Sequence, residues 1–153
     1  MKTLKIGILC LMLVPFTLGL GNAHDGKKVK QPRWAEVECL AKNIYHESRN
    51  QPLEGQIAVA QVTVNRVASQ QFQNTVCGVV YAPSQFSWTL DKRKRVRDQE
   101  AWRVSVSIAR AVLTRSITLP HFPALYFHTP QVNPRWNRGK RVVARIGNHI
   151  FYS

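Results

Sequence analysis

Acidic residues are what this chain has least of. Across 153 residues, 8 Asp and Glu stand against 22 Lys and Arg, a formal net charge of +14 at pH 7. Past Glu47 the only carboxylate side chains are Glu54, Asp91, Asp98 and Glu100. The last three lie in or beside a cationic run, where neighbouring positive charge favours ionised, inert carboxylates. Chemistry that needs two cooperating carboxylates is therefore poorly served. Histidine is scattered: His46, His121, His128 and His149 form no H-E-x-x-H and no tight cluster with Asp or Cys, so neither a metal site nor a cofactor is expected. No local motif activates Ser48, Ser87 or a cysteine as a nucleophile. There is no internal repeat. The apolar run Ile6–Leu20, broken by Pro15, falls short of the about 20 residues that a membrane-spanning helix needs.

That run fits another purpose. Lys2 and Lys5 give a basic start, and Gly21-Asn22-Ala23 supplies a small-x-small cleavage pattern, so residues 1–23 read as a signal peptide cleaved after Ala23. An uncleaved anchor is the competing reading, and Cys10 sits inside the run rather than at its end, which disfavours a lipoprotein. Residues 24–33 are polar and lysine-rich and read as a flexible lead-in. Residues 34–153 suit one domain with one sizeable core.

Export leaves Cys39 and Cys77. In an oxidising compartment they can close one bridge or remain two buried thiols, and geometry is needed to choose. The basic surplus survives loss of the leader, which removes only Lys2 and Lys5. An exported protein of this charge attracts polyanions, and the densest run carries Lys92, Arg93, Lys94, Arg95 and Arg97. Anionic envelope polymers are the expected partners. A solvated loop with no dedicated partner is the plainer reading, and nucleic acid would fit only in a cytosolic setting.

Periodicity predicts helices from about Ala35 to Asn50, from Pro52 past Val67, over Thr75–Tyr81, and from about Asp98 to Arg115. The second is apolar on nearly all sides and should be the central buried helix. Gln85-Phe86-Ser87-Trp88 reads as an extended or turn segment. Ala124–His128 suits a short strand, and Gly147-Asn148-His149 a turn in a terminal hairpin. The expected fold is α+β: a single helix-dominated domain with a small antiparallel sheet.

On the first helix, Val37, Leu40, Ala41, Ile44 and Ser48 share one face, and Glu47 falls at its edge. A carboxyl held against apolar surface has its charged form disfavoured, so its pKa rises toward neutrality and it can deliver a proton there. A half-exposed glutamate near a helix end has the same spacing, so spacing does not choose. Glu36 and Glu38 lie near the helix start, where carboxylates are favoured and usually solvated. Glu54 takes that position on the second helix, which gives it a structural role.

Resemblance adds more. The stretches C-L-A-K-N-I-Y-H-E-S-R, P-L-E-G-Q-I-A-V-A-Q-V-T-V-N-R-V, T-V-C-G-V-V-Y, Q-F-S-W-T and A-R-I-G-N-H-I-F-Y resemble the cell-wall hydrolases typified by the spore-cortex-lytic enzymes. That resemblance implies a lysozyme-like layout, cleavage of the peptidoglycan glycan strand, and lytic transglycosylase chemistry with Glu47 as the catalytic acid. It also implies structural rather than catalytic roles for Cys39 and Cys77. Gln85, Ser87 and Trp88 match its Q-F-S-W-T block and offer stacking and amide-like contacts, while Phe86 alternates with them toward the core. Trp88 as a core residue is the competing reading. Tyr126 and His128, on one side of the strand, are expected to face the same cleft. Where T-H-Y-H is expected the chain reads Leu125-Tyr126-Phe127-His128, so the first histidine is replaced by Tyr126. Glu47 should open beside Trp88 and Tyr126, partly desolvated and without an Arg or Lys partner. The enzyme is expected to be a monomer, and a zinc amidase and a non-catalytic basic envelope-binding module remain the rival functions.

Overall fold

The structure is a computed structural model that describes residues 31–153; the leader and most of the lead-in lie outside the described residues. Four α-helices carry the domain: α1 (Trp34–Ser48), α2 (Leu53–Ala68), α3 (Val76–Tyr81) and α4 (Gln99–Leu113). A three-stranded antiparallel sheet closes it, with β1 (Tyr126–His128), β2 (Val142–Ile146) and β3 (His149–Tyr152) in the order β1-β3-β2. Short 3-10 turns occupy Ser87–Leu90 and Arg135–Asn137. The expected α+β class, helix-dominated with a small sheet, is the one found.

Helix α2 is central, as its apolar surface requires. Every residue from Gly55 to Ala60 is buried, and the helix packs against α1, α3, α4 and β2. Two apolar clusters meet across it. Ile57 and Ala60 join Val37, Leu40 and Ile44 of α1 with Ile108, Ala109 and Val112 of α4. Ala58, Val59 and Val62 turn the other way, toward Phe122, Ala124 and Phe151. Fully burying one such aliphatic side chain contributes roughly 1.5–3 kcal/mol.

Helix limits follow local chemistry. The Asp98 carboxylate accepts from the Glu100 and Ala101 amides and starts α4. Thr75 caps α3 by accepting from the Gly78 amide. Pro52 lies just outside α2 rather than at its first helical position, with its carbonyl accepting from the Gln56 amide. Glu36 is not merely solvated: its Oε2 accepts from the Val76 amide at 2.7 Å, so the start of α1 also secures the start of α3. Beside that contact Cys39 and Cys77 form a disulfide, with Cα atoms 5.3 Å apart.

The hairpin turn is tighter than the sequence suggests. Gly147 and Asn148 form it alone, and His149 already belongs to β3. Gly147 has φ +54°, and a Cβ there would lie 2.5 Å from Gln51 Oε1 and 2.9 Å from Pro52 Cδ. Glycine is required both by conformation and by close approach. The same Gln51 Oε1 accepts from the Asn148 amide at 2.7 Å, which docks the hairpin against the start of α2.

Candidate active site

Glu47 stands in the last turn of α1. The stripe Val37, Leu40, Ala41, Ile44 and Ser48 is buried against the core, and Glu47 is half-buried at its edge. Among the described residues no hydrogen bond or ion pair reaches its carboxylate. Burial pushes its pKa from 4.5 up to about 7, against an opposing pull from the Arg66 guanidinium. As expected, no Arg or Lys pairs with the acid among the described residues. Arg66 faces it, yet desolvation outweighs the attraction.

Arg66 has other commitments. Its Nε–H donates to the Leu125 carbonyl at 2.7 Å, and Nη1 makes a long 3.4 Å contact to Gln85 Oε1. The guanidinium also lies 5.1 Å from the Phe72 ring centre, 5.3 Å from Phe86 and 6.0 Å from Tyr126. Delocalised charge and a planar face suit Arg to this aromatic enclosure. Burial draws its own pKa down to about 10, so it stays a cation at neutral pH. Asn65 acts alongside it, donating to the Phe122 and Ala124 carbonyls at 2.8 and 3.0 Å. Together these side chains of α2 hang the start of β1 on the helix that faces Glu47.

A buried amide fixes the other flank. Asn43, one turn before Glu47, donates to Thr63 Oγ1 at 3.2 Å and accepts from Trp88 Nε1 at 3.1 Å. Trp88 is thereby drawn inward until only 9 % of it is exposed. The expectation of Trp88 as an open stacking surface gives way: it is a core residue whose ring stacks on His46, centroids 4.6 Å apart. Satisfying the indole N–H inside the protein fixed that orientation. Ser87 next to it is exposed, Gln85 is half-buried against Arg66, and Phe86 is core.

Tyr126 and His128 do share a face of β1. Trp136 proves it, with its ring 5.5 Å from Tyr126 and 5.6 Å from His128 while 40 % of it remains exposed. His128 Nε2 lies 2.8 Å from Tyr152 Oη, and Nδ1 lies 2.8 Å from the Thr129 carbonyl. A carbonyl can only accept, so Nδ1 carries the proton and Nε2 accepts from the tyrosine. Tyr126 Oη donates to Gln71 Oε1 at 3.3 Å, and Lys140 Nζ sits 3.8 Å from the Tyr126 ring centre.

Three contributors escaped sequence reasoning. Arg66 reads as an ordinary cation near a helix end, Asn43 as a helix-surface amide, and Trp136 as part of a Pro- and Arg-rich loop. Only a buried polar residue on an otherwise apolar face could have singled out Asn43.

The domain thus combines one desolvated glutamate in the last turn of α1 with a small sheet that carries an aromatic face. The chain belongs to the cell wall hydrolase family, whose model matches residues 50–152. That match begins after Glu47, but longer alignments span it. The chain is 34% identical over 117 residues to the spore cortex-lytic enzyme of Bacillus subtilis, covering 76% of this chain and 37% of that protein. To the spore cortex-lytic enzyme of Bacillus cereus it is 33% identical over 119 residues, 76% of this chain and 43% of that one. It thus spans about two fifths of the length of the curated relatives it matches. Among solved structures, it resembles the catalytic domain of the germination-specific lytic transglycosylase SleB from Bacillus anthracis. There the TM-score is 0.66 at 31% identity, covering 80% of this chain and 97% of that one. The catalytic domain of the Bacillus cereus SleB protein gives 0.64 at 29%, covering 84% and 99%.

Proposed function

We propose that residues 34–153 are the catalytic domain of an exported enzyme that cleaves the glycan strand of peptidoglycan as a lytic transglycosylase. The observation that carries this is Glu47, held with its pKa at about 7 and no ion-pair partner among the described residues. Such a carboxyl is protonated in a large share of molecules at neutral pH and gains a proton readily after losing one. In the first step it donates its proton to the bridging oxygen as the bond to the anomeric carbon breaks. The carboxylate left behind is stabilised by the Arg66 charge. It then takes the proton of the muramic C6 hydroxyl, whose oxygen bonds to the anomeric carbon and closes a 1,6-anhydro ring. Attack from within the same sugar replaces the second carboxylate that a hydrolytic glycosidase ordinarily uses.

Substrate contacts fall to Gln85 and Ser87 on one side and to Tyr126 and His128 on the other, with Trp136 extending the aromatic face. Trp88 supports His46 from beneath. The leader 1–23 directs export, after which the enzyme acts as a monomer in the periplasm, wall or extracellular space. Lys92, Arg93, Lys94, Arg95 and Arg97 hold it near anionic envelope polymers by attraction that salt screens. Mass spectrometry of sacculi digested by the purified protein tests the reading. Anhydro-muramic ends are the expected product. Reducing ends would make it a hydrolase, free peptides an amidase, and an unchanged sacculus a binding module.

A further inference from the structure

One residue before the acid, His46 lines a cleft that the proposed proton transfers do not use. Tyr45, His46, Arg49, Trp88, Arg93, Lys94, Arg95 and Arg97 line it, enclosing about 340 Å³. Five of the eight are fixed cations and none is an acid. We propose that this cleft binds a carboxylate of the peptide substituent that branches from the glycan strand. The proposal rests on reading the domain as a glycan-strand enzyme.

The loop is built rather than draped. Tyr45 Oη accepts from the Arg97 and Asp98 amides at 3.1 and 3.0 Å, which ties the loop's end to α1. Its start is turned by Asp91, whose side chain accepts from the Arg93 amide at 2.9 Å and whose carbonyl accepts from the Lys94 amide at 2.9 Å. Asp91 also pairs with the Arg93 side chain at 3.2 Å, and Arg49 donates to the Tyr45 carbonyl at 3.1 Å. Lys94, Arg95 and Arg97 make no ion pair among the described residues. These three cations thus line the same cleft as the stacked His46 and Trp88 rings without an ion-pair partner. The field reaches His46, whose pKa is lowered first by burial and then by Arg49, Lys94 and Lys42. Guanidinium groups in a partly enclosed site favour carboxylate through charge-assisted, often bidentate hydrogen bonds.

Position selects the branch over the strand. His46 and Glu47 are consecutive on α1, so their side chains diverge by about 100°. The cleft therefore begins at the residue next to the acid on α1, close enough for a strand at Glu47 to extend a substituent toward it.

Binding and turnover test this separately. The binding probe is a stem-type tetrapeptide with free carboxylates, compared with its carboxamide. The combined variant Lys94→Gln, Arg95→Gln, Arg97→Gln should weaken the free-acid peptide about tenfold and leave the carboxamide unchanged. On peptide-bearing strands KM should rise by about the same factor with kcat within about twofold, whereas on amidated strands variant and wild type should coincide. Arg95→Gln alone should move in the same direction by less. Arg103→Gln, Arg115→Gln, Arg145→Gln, three exposed cations outside the cleft, remove equal charge and should leave KM near wild type. The proposal is overturned by an equal loss in that control set, by an equal loss on amidated strands, or by no loss at all. Poly(glycerol phosphate) displacing the peptide more strongly than the free-acid peptide displaces itself at equal charge would also overturn it. If the peptide binds as stated and no strand is cut, the catalytic reading fails while the carboxylate site stands.

Discussion

The junction of α1 and α2 around Glu47 and the loop from Asp91 to Asp98 hold charge in opposite ways. At the junction one carboxylate is kept half-buried, and its chemistry comes from the water it has lost. In the loop several cations stand exposed, and their effect comes from number and proximity. A desolvated group responds to pH and little to salt, because counter-ions do not reach it. Exposed cations respond to salt and not to pH near neutrality, since Lys and Arg stay charged there. One small domain can thereby separate the proton-transfer step from the capture of an anionic substrate.

The hardest way to break the comparison is at the acid. Glu47→Gln keeps the shape but cannot deliver a proton, so turnover on sacculi should fall at least about 10²-fold. In wild type, kcat/KM should decline as pH rises through about 7, where Glu47 loses its proton. Raising salt toward about 1 M, where the Debye length is about 3 Å, should raise KM and leave that pH dependence in place. A decline that moves with salt instead would merge the two regions into one effect.

Asn43 comes next. Asn43→Ala removes the buried bridge between Thr63 and Trp88 and should cost about 1–3 kcal/mol in urea unfolding, because the buried indole N–H is left unpaired while the Thr63 hydroxyl keeps only its bond to the Val59 carbonyl. Loosening Trp88 should also disturb His46 and the loop side. A variant as stable as wild type would show that packing alone holds the flank.

The acid has its own stability cost. Glu47 has a folded-state pKa above its unfolded value, so its contribution is fully present below the unfolded value of about 4.5 and lost as pH rises through about 7. Glu47→Gln should therefore match wild type near pH 4.5. By pH 8 it should be more stable by on the order of 1–2 kcal/mol, discounted for the part of the carboxyl that water reaches. Thermal unfolding at the two pH values checks the sign. Equal melting temperatures at pH 8 would mean that the charge is not destabilised by the fold.

Smallest of all is Glu54. It is exposed in the first turn of α2, and Glu54→Gln should cost about 0.3–1 kcal/mol of stability with turnover nearly intact. Loss of activity there, with Glu47 dispensable, would transfer the acid to the other helix and end the comparison.

Sequence alone determined the helices, the central place of α2 and the terminal hairpin, and it put Glu47 at the edge of an apolar stripe without choosing its role. Those follow from period, capping residues and the edge of an apolar stripe, all of which are local. The excess of cations between Lys92 and Arg97 was equally legible, because charge needs no fold to be counted. What tertiary structure decided was which groups meet. Arg66 is separated from Glu47 by a whole interhelical turn and comes to face it only when α1 and α2 pack. Trp88 was open to two readings until Asn43 took its indole N–H into the core. Trp136 becomes an exposed platform only because β1 and β3 align Tyr126, His128 and Tyr152 beneath it. Direction of burial, and with it the pKa of the acid, depends on neighbours that are distant in the chain, and no local pattern encodes them.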